Sequence, residues 1–160
     1  MAFHDFQKLA SNPFKFGIFM FVKLPSAFLC GVRLRSITAQ QAVVSVPYKW
    51  LSQNPFRSIY FACQAMAAEM STGVLALGHL HGRKPPVSML VTRLEASFFK
   101  KATERVYFSC NDGESMLKAI EETVRTGEGT SFVATSIGKN AAGEVVSEFR
   151  VEWSFKAKTK

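Results

Sequence analysis

The sequence lacks the features that mark secreted, membrane-spanning and disordered proteins. Its three cysteines, Cys30, Cys63 and Cys110, are far apart and odd in number, so they cannot form a full disulfide framework. The longest charge-free apolar stretch near the start, residues 16–22, covers seven residues, well short of the ~20 that span a bilayer. Six prolines against fifteen phenylalanines, with 48% apolar residues, exclude a disordered chain. We therefore expect a globular protein of the cytoplasm with no transmembrane segment.

Motifs for binding metals, nucleotides and nucleic acids are also missing. Three histidines without clustered cysteines or carboxylates predict no metal site, and no P-loop or Gly-x-Gly fingerprint occurs. The formal net charge is +8, which favours an anionic partner such as a phosphate-bearing small molecule or a membrane surface. The basic residues form short separate clusters at 83–84, at 100–101 and in the C-terminal tail. Since no RNP, zinc-finger or basic-zipper pattern accompanies them, nucleic acid is not the expected partner.

Hydrophobic patterning predicts one long buried helix with strands on either side of it in the chain. Residues 59–77 contain no proline, are rich in Ala, Met and Leu, and place their polar members on no single face. A helix that is apolar nearly all round is buried. The other predicted elements are helices at 3–9, 13–21 and 114–126 and strands at 31–37, 42–46, 87–101, 105–110, 130–137 and 144–156. The last strand alternates imperfectly, which predicts a bulge near Ser147 or Glu148.

This order of elements predicts an α+β arrangement in which strands enclose one apolar helix. No linker, internal repeat or low-complexity segment divides the chain. We therefore expect a single domain over residues 1–160, with residues 1–30 as a helical segment packed on it.

From Asn54 to Gly73 the sequence resembles the hotdog-fold acyl-CoA thioesterases of the phenylacetic-acid-degradation type. In that family an Asn is followed six residues later by His-Gly-Gly at the start of the central helix, and an acidic residue stands nine positions after the His. Asn54 and Glu69 keep this spacing, and Tyr60-Phe61-Ala62 replaces His-Gly-Gly. The run 90–101 also resembles the family's strand that ends in a Phe followed by a basic residue. The whole chain is most similar to a poorly characterised branch of this superfamily.

The resemblance implies a hotdog fold, in which an antiparallel sheet wraps around the long central helix, here with extra N-terminal helices. It implies hydrolysis of an acyl thioester by water, assisted by Glu69 as general base. Asn54 would position the thioester or the water, usually across a dimer interface from the carboxylate. The expected assembly is a homodimer joined edge to edge, with a dimer of dimers as a larger form. The expected partner is acyl-CoA, with no cofactor besides the coenzyme A of the substrate.

Candidate substrate contacts follow from the same resemblance. The backbone amides of Phe61 and Ala62 would hold the oxyanion, because a helix N-terminus offers free donors and a favourable dipole. The other candidates are Tyr60, Thr72, Arg83, Lys84, Lys100 and Lys101, the four basic residues as contacts for the phosphates of coenzyme A. The missing His-Gly-Gly makes a non-catalytic acyl- or lipid-binding protein the first alternative. A basic module that binds nucleic acid or membrane is the second.

The residues themselves leave a structural role open for both site candidates. Glu69 stands among Ala, Met and Gly residues, where desolvation would raise its pKa, unless it escapes to solvent or pairs with Arg57 or Arg93. Asn54 precedes a proline, and an Asn in such a loop commonly serves a turn. The phenylalanines at positions 14, 16, 19 and 21 either pack over the sheet or line an acyl tunnel.

Overall fold

The structure, a computed structural model, describes residues 2–158. Within them the helices are α1 (Ala2–Ala10), α2 (Pro13–Lys23), α3 (Pro25–Cys30), α4 (Phe61–Leu80) and α5 (Gly113–Thr126). The strands are β1 (Arg33–Ile37), β2 (Ala42–Val46), β3 (Val87–Phe98), β4 (Val106–Cys110), β5 (Thr130–Lys139) and β6 (Val145–Ala157). A short 3₁₀ turn, Trp50–Ser52, follows β2. No helix in this part of the chain is long and apolar enough to cross a membrane.

All six strands form one antiparallel sheet in the order β1-β2-β4-β5-β6-β3. The helix α4 lies against β2, β4, β5 and β6, and α1, α3 and α5 pack around it. This confirms the predicted α+β arrangement of an antiparallel sheet around one central helix. The two edges of the sheet are β1, which has five residues, and β3, which has twelve.

The central helix is buried along most of its length, as its composition predicts. Ala67, Leu75 and Ala76 have no exposed surface, whereas Phe61 and Leu77 are 56% and 42% exposed. The helix runs three residues beyond the predicted end at residue 77 and therefore includes His79, which we assigned to the following loop. The ring of His79 donates a hydrogen bond from Nε2 to the carbonyl of Ala39 at 3.0 Å, and this contact extends the helix beyond its apolar run.

Three buried polar residues of α4 are paired with the sheet. Their side chains form hydrogen bonds to residues of β5 and β6. The pairs are Ser71–Ser136 (2.7 Å), Gln64–Ser147 (2.8 Å) and Thr72–Trp153 (2.9 Å). A buried polar group costs stability unless it is bonded, so these pairs make burial of the whole helix tolerable.

The bulge of the last strand lies at Val146, one residue before the predicted Ser147 or Glu148. The register between β5 and β6 shifts there and leaves Val146 without a partner opposite it. Its carbonyl instead accepts the backbone N–H groups of Phe99 at 2.8 Å and Lys100 at 3.2 Å. The bulge therefore fixes the chain just after β3, which ends three residues earlier than predicted.

The N-terminal segment contains one helix more than the sequence predicts. Asn12 caps α2, since its Oδ1 accepts the N–H groups of Phe14 at 3.1 Å and Lys15 at 3.0 Å. Pro25 ends α2 as expected, but it also begins α3, because the first position of a helix needs no N–H donor. Phe16 on α2 is buried against the rest of the protein.

Candidate functional site

A cavity of about 580 Å³ opens at the N-terminus of α4. We call it the N-terminal cavity. Its walls are the loop before α4, the first turn of α4 and the residues that follow β3. Five of the residues predicted from the resemblance line it, namely Asn54, Tyr60, Phe61, Lys100 and Lys101. The structure thus brings together residues that lie up to 47 positions apart in the sequence.

The first turn of α4 leaves backbone donors free beside this cavity. Tyr60, the N-cap residue, makes no side-chain capping hydrogen bond. Within residues 2–158, the N–H groups of Phe61 and Ala62 have no acceptor at hydrogen-bonding distance. The next two, on Cys63 and Gln64, donate to the carbonyl of Tyr60 at 2.9 and 3.3 Å. Free donors and the helix dipole both favour a negative charge at this point.

Asn54 holds the loop that forms one wall of the N-terminal cavity. Its Oδ1 accepts the N–H of Phe56 at 3.0 Å, and the N–H and hydroxyl of Ser58 at 3.2 and 3.1 Å. These bonds support a tight loop in which Arg57 adopts a positive φ of 59°. The Nδ2 group of Asn54 has no acceptor in the described part of the chain and remains able to donate. The turn role therefore occupies only the oxygen of this amide.

The four predicted basic contacts lie at opposite ends of α4. Lys100 is paired with Glu144 at 2.6 Å, whereas Lys101, which also lines the N-terminal cavity, is exposed and forms no ion pair within residues 2–158. Arg83 donates to the carbonyl of His79 at 2.6 Å, and Lys84 follows it beyond the C-terminus of the helix. A helix of 20 residues is about 30 Å long, so one chain cannot gather all four around one ligand.

Glu69 faces a second cavity, of about 220 Å³, which we call the Glu69 cavity. Its other lining residues are mostly apolar and come from α2, the residue that follows α2, α4, β3 and β6. They are Phe16, Phe19, Lys23, Leu24, Met70, Gly73, Val74, Leu77, Met89 and Trp153. Phe16 and Phe19 thus line a cavity beside the carboxylate, as an acyl tunnel would require, and Phe14 and Phe21 do not.

The carboxylate of Glu69 has no partner within residues 2–158. It forms neither of the ion pairs considered from the sequence, because Arg57 forms none and Arg93 pairs with Glu95. No side-chain or backbone donor of the described residues bonds to it. Desolvation by the surrounding residues raises the pKa of Glu69 above its ordinary value.

Gly73 provides the space that this carboxylate occupies. A Cβ atom at Gly73 would lie 3.2 Å from Oε1 of Glu69 and 3.1 Å from the ring of Trp153. The sequence indicates that Glu69 and Gly73 are neighbours, since residues four apart lie on one face of a helix. It gives no such indication for Trp153, which is 84 positions from Glu69. Sequence reasoning missed both residues, and also Lys23.

Besides Arg83 and Lys84, two further predicted contacts, Thr72 and Ala62, lie outside both cavities. Thr72 is buried, and its hydroxyl donates to the carbonyl of Glu69 at 2.8 Å and accepts from Nε1 of Trp153 at 2.9 Å. Ala62 contributes no lining to the N-terminal cavity. Thr72 therefore supports the wall behind Glu69, and its buried hydroxyl has no proton left to donate to a ligand.

Within one chain the two cavities are separate. Glu69 stands eight residues after Phe61, which corresponds to about 12 Å along the helix axis. None of the described residues lines both cavities. The carboxylate and the free helix amides therefore cannot act on one small reacting group inside a single subunit.

Comparison with known proteins identifies the fold. No protein-family model and no curated protein matches the chain. Among solved structures it is similar to PA5026 of Pseudomonas aeruginosa, a protein of unknown function described as a probable thioesterase, with a TM-score of 0.78 and 17% identity over 91% of this chain and 97% of that one. It is also similar to thioesterase HI1161 of Haemophilus influenzae, with a TM-score of 0.66 and 8% identity over 93% of both chains. Likeness at such identities shows the fold alone, and the predicted hotdog fold is confirmed.

The raised pKa predicts that Glu69 costs stability once it ionises. In the unfolded chain this carboxyl ionises near its ordinary pKa of about 4.3, at lower pH than in the folded protein, so rising pH favours the unfolded state. Glu69→Gln should therefore raise the Tm at about pH 7 and lose this advantage below about pH 4. Thermal denaturation of both proteins across this range measures the difference, with the exposed Glu104→Gln as control. A Tm difference that does not change with pH would contradict a desolvated carboxylate.

Proposed function

We propose that this protein hydrolyses an acyl thioester such as acyl-CoA, with Glu69 as the general base. The observation that carries the proposal is an unpaired, desolvated carboxylate facing a mostly apolar cavity. A catalytic base works best when its pKa lies near the working pH, and desolvation moves a carboxylate in that direction. The description of two structural neighbours as thioesterases supports the same activity.

The reaction requires one proton to move twice. Glu69 takes a proton from water as the water oxygen bonds to the thioester carbonyl carbon, and the carbonyl oxygen becomes an oxyanion. When the carbon–sulfur bond breaks, the oxyanion returns to a carbonyl and the thiolate leaves. The proton held by Glu69 then passes to this thiolate, which regenerates the carboxylate of Glu69. The products are a carboxylic acid and a thiol.

The N-terminal cavity supplies the groups that the Glu69 cavity lacks. The free N–H groups at the start of α4 are suited to hold the oxyanion, because preorganised donors stabilise charge that develops during reaction. The Nδ2 group of Asn54 is suited to position the thioester or the water, and Lys101 to contact a phosphate of coenzyme A. Since the start of α4 is about 12 Å along the helix axis from Glu69 and the two cavities are separate in one chain, we assign these groups to the site formed with Glu69 of a second chain.

The edge strand β3 is where a second chain would join the sheet. It has twelve residues and, among the residues that the structure describes, it pairs only with β6. Leu94 and Phe98 lie opposite Val151 and Ser147, which are buried, and thus point to the helix side of the sheet. They are nevertheless 44% and 49% exposed. An edge-to-edge homodimer would cover these side chains and pair the free edge of the strand.

The other edge of the sheet is less suited to pairing. β1 is short, and a register shift between Leu34 and Ser36 leaves Arg35 without a partner in β2. Short, irregular and charged edge strands are a common protection against strand pairing. The strand β1 is therefore protected against pairing with a second chain, and the longer strand β3 is the edge through which a dimer would form.

The second candidate function is binding of an acyl or lipid molecule without hydrolysis. Tyr60 and Phe61 stand where the resembled family has His and Gly, and their rings pack edge to face with centroids 4.9 Å apart. Both side chains line the N-terminal cavity and narrow the approach to the helix amides. Binding of acyl-CoA by the wild-type protein without release of free thiol would favour this alternative.

Glu69→Gln should leave the fold and acyl-CoA binding intact and lower hydrolysis by about 10²- to 10⁴-fold, the usual contribution of a general base. Asn54→Ala should cause a smaller loss, because the helix amides share the task of positioning. Release of free thiol from a panel of acyl-CoA chain lengths measures turnover. Glu104→Gln, an exposed change of the same kind, should hydrolyse like the wild type. Wild-type turnover in Glu69→Gln would refute the role of Glu69.

Leu94→Lys should convert the dimer to a monomer and abolish hydrolysis, because a charged side chain would be buried in the joined sheet. Light scattering at micromolar concentration measures the mass in solution. Val133→Lys is the matched control, since Val133 is similarly exposed, at 40%, but lies on β5 in the interior of the sheet. A monomeric wild-type protein, or a Leu94→Lys variant that remains dimeric, would contradict assembly through β3.

A further inference from the structure

Almost all of the net charge arises from one segment of the chain. No acidic residue occurs between Asp5 and Glu69. The segment between them contains seven basic residues, namely Lys8, Lys15, Lys23, Arg33, Arg35, Lys49 and Arg57. It therefore carries +7 of the total +8, and the rest of the chain, with 13 basic and 12 acidic residues, carries +1. Within residues 2–158, none of the seven forms an ion pair.

The same segment exposes an apolar helix face. Phe14, Ile18, Phe21 and Val22 recur at the spacing of one side of α2, and they are 75%, 51%, 57% and 63% exposed. We call these four side chains the outer face of α2. The opposite side of the helix is buried through Phe16 and Met20. Because α2 is apolar on its outer side as well as on its buried side, it exposes an apolar patch to water, which is unfavourable.

An arginine connects this face to a basic cavity. Arg33 and Phe28 form an open groove of about 400 Å³ with three members of the outer face, and the guanidinium lies 4.3 Å from the ring centroid of Phe28. Arg33 and Arg35 also line a cavity of about 300 Å³ between α2 and β1. Burial, and then the charge of Arg35, lowers the pKa of Arg33. An anion bound in this cavity would favour the charged form of Arg33 and so oppose both the effect of burial and the repulsion from Arg35.

We propose that the outer face of α2 binds the surface of an anionic phospholipid bilayer. Phe14, Ile18 and Phe21 would enter the boundary between headgroups and acyl chains, where apolar side chains leave water. The cavity lined by Arg33 and Arg35 would receive a lipid phosphate, and the unpaired positive charge of the segment would draw the protein to the membrane.

Nucleic acid and a second copy of this chain are the two other partners to consider for the outer face of α2, and both fit it less well than a bilayer. Nucleic acid offers phosphates but no apolar phase for the aliphatic side chains of Ile18 and Val22. A second copy of this chain would bring two segments of charge +7 together at one contact, and like charges repel. A bilayer with acidic headgroups supplies both the negative charge and the apolar phase. Binding to lipid needs no catalytic residue, so its test is independent of thioester hydrolysis.

Flotation with vesicles tests the proposal. The full chain should float with vesicles that mix phosphatidylcholine and phosphatidylglycerol, should bind far less to pure phosphatidylcholine, and should be released by salt. The double variant Phe14→Ser/Ile18→Ser should bind at least about tenfold more weakly, because it loses two inserted side chains. Its matched control is Tyr107→Ser/Val133→Ser, at positions that are 38% and 40% exposed on the sheet. This control should bind like the wild type.

A second pair of variants separates the position of charge from its amount. Lys15→Gln/Arg35→Gln should weaken binding to the mixed vesicles by about thirtyfold, the effect of two favourable surface charges. Lys139→Gln/Lys156→Gln removes the same charge outside the segment and should have a much smaller effect. Circular dichroism and thermal denaturation verify that all variants are folded.

Four results would overturn the proposal. The first is no binding of the wild type to the mixed vesicles at low salt. The second is that the Phe14→Ser/Ile18→Ser variant binds these vesicles as tightly as the wild type. The third is that the wild type binds duplex DNA as tightly as vesicles and that this variant binds DNA equally well. The fourth is that Phe14→Ser/Ile18→Ser converts a wild-type dimer to a monomer, since a second copy would then cover the outer face of α2.

Discussion

A central helix that is apolar on nearly every side must be covered on every side, and this requirement shapes the rest of the protein. The antiparallel sheet covers one side of α4, and the smaller helices cover others. Burial of Gln64, Ser71 and Thr72 on this helix is tolerated because strands β5 and β6 supply their hydrogen-bond partners. Some apolar side chains remain uncovered. Phe61 and Leu77 on α4, and Leu94 and Phe98 on the edge strand β3, are each about half exposed. These side chains indicate the direction from which a second chain would complete the core.

The same constraint produces the chemistry that we propose. A carboxylate on a helix packed from all sides loses contact with solvent, and within residues 2–158 no cation or hydrogen-bond donor pairs with Glu69 to compensate. Gly73 gives the carboxylate room beside the ring of Trp153, so it faces a cavity and does not disrupt the packing. The start of the helix has the opposite character, with free N–H donors beside Asn54 and Lys101. The proposed base and the proposed oxyanion site are thus separated along one helix, and the proposed dimer is the assembly that would bring them together.

Local patterns predicted the fold well, and long-range contacts account for what they missed. The sequence predicts α4 and every strand to within a few residues, since apolar periodicity and composition act locally. It places His79 in a loop because the contact that extends the helix, to the carbonyl of Ala39, joins residues 40 positions apart. It misses α3, because proline both ends one helix and begins another. For the site, the resemblance to the hotdog thioesterases predicts Glu69 and Asn54 as well as the basic contacts, but only the fold shows that Arg83 and Lys84 lie at the far end of α4.

The most direct measurement is hydrolysis by a mixed dimer of two inactive variants. Phe61→Pro removes one free amide and keeps the helix, because Tyr60 has the extended φ and ψ of −59° and 134° that precede proline. Loss of an oxyanion donor costs about 10²- to 10³-fold. If Glu69 of one subunit acts with the helix start of the other, a dimer of Glu69→Gln with Phe61→Pro, isolated by two tags, has one intact site and should regain about half of the wild-type activity. A mixed dimer no more active than its parents would contradict a site shared between subunits.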